Sequence, residues 1–475
     1  MVSQQRKLQH LYLRAGFGLH AADINKKLNI SLDKAVDELF TASKAINDLQ
    51  HMEHPLGEGD KKKEASSVKV LLMILRSQKE LKSMSVSWIN KMATEQAQLR
   101  EKMTFFWHNH FSTHVPFSYL MQDQNNMLRK NALGKFSDLL MAVAKDPAMI
   151  VYLNNQQNKK NAPNENFARE VMELFTLGVG NYTEHDIKEA ARCFTGWQIN
   201  KMGEFNFNEK DHDDGIKTVL GKTGKLTGED VIEHLLSQKQ TAIFISRKIY
   251  REFVNYDIDE KRIAELADGF YASGYDISKL MRSIFTADWF YDEKNVGSKI
   301  ASPVELLVRY FRTIDIVPQD EKMLMITQNL LGQQLFHPPN VAGWKGGKAW
   351  IDSSSLLLRM RMPLAMFGYM ESDEQGKDDY EDMGMAEGSG KRAKLKAKQN
   401  KNKFVCTANF TKLAAAYTET DTEKLSTAML NSFLQINISP AQQKVLMEFT
   451  DKGNKQKQVQ SQAIHIMAMP EYQLI

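Results

Sequence analysis

The sequence predicts a mainly α fold: a large multi-helix globular domain with a small β-hairpin element and long structured loops. Three observations carry this. Apolar residues recur at helical spacing in nearly every hydrophobic segment, only the 205–220 region alternates as a strand does, and Pro and Gly clusters punctuate the rest. With 475 residues, 42% of them hydrophobic and 25% charged, the chain has an average globular composition and enough length to bury a substantial core.

Residues 3–14 read as a short helix that stops at Gly16-Phe17-Gly18, and SLDKAVDELF opens on Ser31, a capping residue, before Leu32, Ala35, Val36 and Leu39 at helical spacing. Residues 54–67 are polar, contain Pro55, Gly57 and Gly59, and read as a surface loop. From Val68 a helical tract runs through KVLLMILRS to WINKMATEQAQLREKMTFFWHNHF. In its second half Leu99, Met103, Phe106, Trp107 and His110 share one stripe, which puts His110 against the core and leaves His108 pointing away. Residues 121–145 are again helical; Asp146-Pro147 interrupts them, and AMIVYL is either a new helix start or a short extended run.

Past residue 200, Phe205 and Phe207 alternate with polar residues. The chain turns through Asp213-Asp214-Gly215 and resumes over 217–220, so a small β-hairpin or loop pair carrying Asp211, His212 and Asp213 is expected. Helices return at 229–237, 240–254 and 277–285, and again after Pro303, which stands at a helix entry. FHPPNVAGWKGGKAW, residues 336–350, is a structured loop, either a rigid connector or the wall of a pocket. Residues 371–403 are acidic first and basic second, with almost nothing apolar, and read as a charged, disordered insertion. It separates a main helical domain, 1–370, from C-terminal helices, 404–475, that pack on it.

Composition excludes several functions. A net charge of +4 with Lys and Arg dispersed gives nucleic-acid binding no support, and two cysteines cannot make a disulfide framework. No window approaches 18 apolar residues and the N-terminus has no uninterrupted apolar run, so the expectation is a soluble, cytoplasmic protein with no membrane partner. There is no GxSxG, GxGxxG or P-loop.

The densest stretch is PNENFAREVMELFTLGVGNYTEHDIKEAARCFTGW, residues 163–197. Asn164 can cap a helix of about 165–177, and Gly178 sits just past its end, where a left-handed residue is wanted. Phe167, Val171, Leu174 and Phe175 make its apolar stripe. Asn166, Arg169, Glu170 and Glu173 lie on another face, roughly 130° round the wheel.

Two readings of these polar residues compete. In one, the chain is a metal-assisted hydrolase with a His/carboxylate cleft: His108, His110, His212 and Asp213 ligate a divalent metal ion, and Glu170 and Glu173 do acid–base work beside Arg169. Imidazoles mixed with carboxylates suit such an ion, and Trp344 would close one wall. His110 and His114 are four apart, but no Glu follows His110 as the zincin pattern requires, and Ser112-Thr113 with Pro116 suggests that the helix stops there. In the other reading the chain is a non-catalytic helical binding or scaffold protein, and the same residues form a buried polar network.

HLYLRAGFG, FFWHNHFST, KDPAMIVYL, PNENFAREVMELFTLGVGNYTEHDI, ARCFTGW, HDDGIKTVLG, ASPVELL, LFHPPNVAGWKGG and PEYQLI, spread over nearly the whole chain, together resemble one bacterial family, number 1800 in the domain-of-unknown-function series. The resemblance implies no established activity. It implies a cell-envelope location, because many relatives carry an export signal, and a phosphatase/sulfatase-like protein as partner, because such a family often sits beside this one. The absence of an export leader and the 371–403 insertion are departures from the family pattern.

Overall fold

The computed structural model describes residues 2–475 except 53–66, 201, 319, 370–405 and 420. The loop expected over 54–67, Ser67 apart, and the charged insertion at 371–403 therefore lie outside the described residues. The fold is mainly α: among the described residues the strands form only three antiparallel pairs. No helix there is long and apolar enough to cross a membrane.

The chain divides into two compact units. One comprises Met1–Leu32, Tyr291–Gln334 and Gly346–Ile475, the other Asp33–Phe290 and Leu335–Lys345. In the first, helices Gln4–Arg14, Pro303–Ile314, Ser353–Met366, Thr422–Phe433 and Lys455–Met467 supply much of the structure. Pro303 stands at the entry of its helix as expected. Ser302 caps that helix reciprocally: its hydroxyl accepts from the Glu305 amide, and the Glu305 carboxylate accepts from the Ser302 amide at 2.8 Å. The terminal PEYQLI segment is gripped by Arg309, which is buried and donates to the carbonyls of Tyr472, Leu474 and Phe433. Its guanidinium also lies 3.9 Å from the Tyr472 ring centroid, so the buried cation is met by carbonyl dipoles and a π face.

The second unit carries most of the motifs. Its core gathers Trp88, Trp107, Phe111, Phe136 and Phe175, all fully buried, each stabilising the unit by roughly 1.5–3 kcal/mol or more. The helix Gln98–His110 runs through this core and buries nearly every residue it has, polar ones included. Its carboxylate Glu101 is therefore paired, and Arg100 donates to the carbonyls of Ser43 and Arg129. The Arg129 guanidinium holds both Glu101 carboxylate oxygens, at 2.6 and 3.1 Å, and the Trp88 indole donates to the same carboxylate at 2.9 Å. The all-round burial corrects the expectation for His108: no face of this helix points to solvent along most of its length, and His108 is 1% exposed.

Local signals resolve the remaining elements. Asp146-Pro147 begins a new helix, Pro147–Tyr152, with the Asp146 side chain accepting the Met149 amide at 2.8 Å. The region expected to hold a hairpin or loop pair holds two hairpins. β1 (Trp197–Ile199) pairs with β2 (Phe205–Phe207), and β3 (Lys217–Val219) pairs with β4 (Lys222–Gly224). The reason is the turn between β3 and β4, where Leu220 (φ 47°) and Gly221 (φ 81°) are both left-handed, as a tight two-residue turn matching strand twist requires.

Candidate functional site

The central helix is shorter than its sequence suggests, Asn166–Glu173, and starts one residue late. The Asn164 side chain still organises its entry by accepting the Asn166 amide at 3.0 Å. At the other end the chain widens: the Phe175 amide reaches back to Glu170 O at 3.1 Å, and the Leu177 and Gly178 amides both reach Met172 O. Gly178 is left-handed (φ 82°), as expected. Phe167, Val171 and Phe175 bury the apolar stripe, while Arg169, Glu170 and Glu173 stay half-buried on the outer side.

Those three residues do not act as one set. Arg169 is taken up by Glu184, at 2.9 and 2.8 Å, and by Glu165 at 3.1 Å, which raises its already high pKa. The two carboxylates do interact. Burial first, and the Glu173 charge second, push the Glu170 carboxyl above the usual range. Glu173 accepts a short hydrogen bond from the Tyr182 hydroxyl, and burial together with that bond pushes Tyr182 up to about 12. Burial first, and the Glu170 charge second, raise the Tyr152 hydroxyl above its ordinary pKa. The result is a half-buried acidic pair flanked by two phenols.

The histidines are occupied differently. His108 is stacked edge-on to Trp88 and near Phe336, both at 5.2 Å, with Trp344 at 6.0 Å. Its Nε2 accepts the Phe336 amide at 3.3 Å, and burial pushes its pKa down to about 3, so it is a neutral acceptor. His110 donates from Nε2 to Phe175 O at 3.3 Å and accepts from the Lys248 ammonium at Nδ1, 3.2 Å away. Burial, then the Lys248 charge, holds His110 well below its ordinary pKa. Lys248 also donates to Leu174 O at 3.2 Å, placing a cation at the carbonyl end of the central helix, and burial brings it down to about 8. His212 is buried, its Nδ1 on Thr195 O at 2.9 Å. Asp213 forms a two-point pair with Arg192, at 2.7 and 3.2 Å, which holds its carboxyl below the usual range.

The four proposed metal ligands, His108, His110, His212 and Asp213, thus each have a separate partner: an amide, a carbonyl with an amine, a carbonyl, and a guanidinium. Among the described residues no three His, Cys, Asp or Glu side chains stand close enough to hold a metal ion together. Each was read from its residue type and motif, and each answers instead to a nearby backbone group or cation whose position the sequence does not reveal.

Sequence reasoning missed the residue between the histidines. Asn109 brackets Trp344 with its amide: Oδ1 accepts the Trp344 N–H at 2.8 Å, and Nδ2 donates to the Trp344 carbonyl at 3.4 Å. Gly343 makes this approach possible. A Cβ there would lie 2.3 Å from Asn109 Oδ1, and its φ is +74°. His114 adds a third tie, donating from Nδ1 to Phe336 O at 2.9 Å. Phe336 is consequently bonded through both its amide and its carbonyl, in a left-handed conformation (φ 65°) that is rare for a bulky residue. The only advance signal was the crowding of hydrogen-bonding side chains in HNHFSTH. The Pro-rich loop is thus anchored by the helix and the turn after it, and Trp344 does lie against His108.

This tie between two distant motifs accounts for much of their composition. The chain matches the family model described as a protein of unknown function (DUF1800) over residues 10–474, and it belongs to that family. No curated protein and no solved structure matches it.

Proposed function

We propose that this family member is a non-catalytic helical binding or scaffold protein whose motif histidines set its packing. One observation carries the reading: His108, Asn109 and His114, from one motif, all bond to backbone groups of Phe336 and Trp344 in another. Such bonds hold position and leave no catalytic atom free at Asn109 or at His108 Nε2. Removing them should be expensive, because a buried amide left without an acceptor costs about 1–3 kcal/mol. His108→Leu and Asn109→Ala are each expected to destabilise the second unit by roughly 2–4 kcal/mol, the lost packing included. Catalytic groups behave otherwise, since their removal is commonly neutral or stabilising. Unfolding free energies from urea titration within about 0.5 kcal/mol of the parent for the two variants would overturn the scaffold reading.

A second reading has its own observation. Glu170, with its raised carboxyl, beside Glu173, fixed by Tyr182, is the pairing that acid–base hydrolysis uses when one member must hold a proton and the other must not. It requires no metal-assisted cleft and does not involve the histidines. Chromogenic ester, glycoside and phosphate substrates assayed across pH, with Glu170→Gln as the control, test it; turnover that survives in Glu170→Gln rules it out.

A further inference from the structure

His114 and His337 are motif histidines that the packing role above does not fully use. Their rings lie 4.6 Å apart, centroid to centroid, with 44° between planes. Phe336 links them: its carbonyl takes the Nδ1 proton of His114, and its left-handed backbone sets the direction in which the chain delivers His337. With Nδ1 committed to a carbonyl, His114 carries its lone pair on Nε2. That is the tautomer and outer hydrogen bond found for metal-bound imidazoles. On the other ring, His337 Nε2 is buried with no hydrogen-bond partner among the described residues.

We propose that His114 and His337 are the two protein ligands of a borderline divalent transition-metal ion, of the copper, nickel or zinc class. Imidazole nitrogen is the donor these ions prefer, and two of them leave the remaining coordination positions to water or to a partner's ligand. A strained non-glycine backbone between two ligating groups is also the kind of feature that persists where a site over-determines it. This site shares no residue with the His108, His110, His212 and Asp213 set, and it does not depend on the scaffold reading, whose test is stability rather than metal content.

The experiment titrates Cu2+ and Ni2+ into the full chain near neutral pH by calorimetry, with electron paramagnetic resonance of the copper form. A saturable site showing nitrogen splitting from two imidazoles is expected, weakened at least tenfold in His337→Gln and in His114→Gln. His337 is only half-buried, so His337→Gln should keep its helical circular dichroism; if His114→Gln misfolds, His337→Gln alone decides. His185→Gln, at an exposed histidine, should bind as the parent does. Affinity and splitting unchanged in a folded His337→Gln, or lost in His185→Gln, would overturn the proposal.

Discussion

Replacing Gly343 by Ala asks whether the Pro-rich loop is held as tightly as its contacts imply. The new Cβ would meet Asn109 Oδ1 at 2.3 Å, Asn109 O at 2.5 Å and Ser112 Oγ at 2.7 Å, all inside normal contact distance. One of these atoms is backbone and another is already bonded to the Trp344 amide, so neither can yield freely. Left-handed backbone costs an alanine about 1–2 kcal/mol. Displacing Asn109 forfeits a hydrogen bond, about 1 kcal/mol, and overpacking adds roughly 1–3 kcal/mol. The total, roughly 3–6 kcal/mol, is a large part of the ~5–15 kcal/mol by which domains are stable. Gly180 supplies the control, because it is also left-handed (φ 86°) yet has nothing within 4 Å of its would-be Cβ. Gly180→Ala should lose only the backbone part, about 1–2 kcal/mol. Urea unfolding followed by tryptophan fluorescence, compared at equal slope, reads the difference, expected at about 2–4 kcal/mol. If both variants lose the same amount, the helix does not clamp the loop and the reasoning fails.

Other expectations follow from the same geometry. Glu101→Gln leaves the buried Arg129 guanidinium without its counter-charge and should cost about 3–5 kcal/mol, whereas Glu101→Gln combined with Arg129→Met should recover part of that; a single-variant loss below about 1 kcal/mol in denaturation would contradict the pairing. Asp146 should make stability pH-dependent. Burial pushes its carboxyl up to about 7 in the folded state against ~3.9 unfolded, so the folded state binds the proton more tightly. Its contribution is complete below about pH 4 and is lost as pH rises to about 7, at roughly 1.4 kcal/mol per unit in between. Asp146→Asn keeps an acceptor for the Met149 amide and should flatten that slope between pH 5 and 7; identical slopes would refute the assignment. In Glu173→Gln the Glu170 carboxyl should titrate lower than in the parent by carbon-detected NMR, though burial keeps it raised; an unmoved titration would mean that the two carboxylates are not coupled.

What the sequence made legible was local. Pro303 at a helix entry, a left-handed Gly178 and the stop after His110 depend on residues within a turn of one another, and all appear as expected. The His108 misreading has a specific origin. A helical wheel assigns an outward face by assuming that one exists, and the Gln98–His110 helix is enclosed on nearly every side, with its polar residues satisfied internally. The hairpin division turned on a leucine adopting a left-handed backbone at residue 220, a conformation that residue type does not announce. The site was least legible of all. Asn109 and Trp344 are 235 positions apart, and neither periodicity nor spacing reports a side chain that reads a remote backbone.

That kind of bond changes what a dense motif signifies. A side chain that accepts the Phe336 amide or brackets the Trp344 peptide recognises where the backbone is, not which residue it carries, so His108 and Asn109 are constrained by geometry and Gly343 by the space their approach requires. The identities of Phe336 and Trp344 answer to a separate demand, the packing of rings around His108 and Trp88. Histidine-rich, glycine-rich and tryptophan-rich strings can therefore arise from one clamp without any reacting atom. Glu170 and Glu173 stand outside this logic: among the described residues they bond to no remote backbone, they remain half-buried, and they add to the raised pKa values of groups around them. If the second unit carries out chemistry, the acidic pair and its two phenols are where the structural explanation leaves room for it.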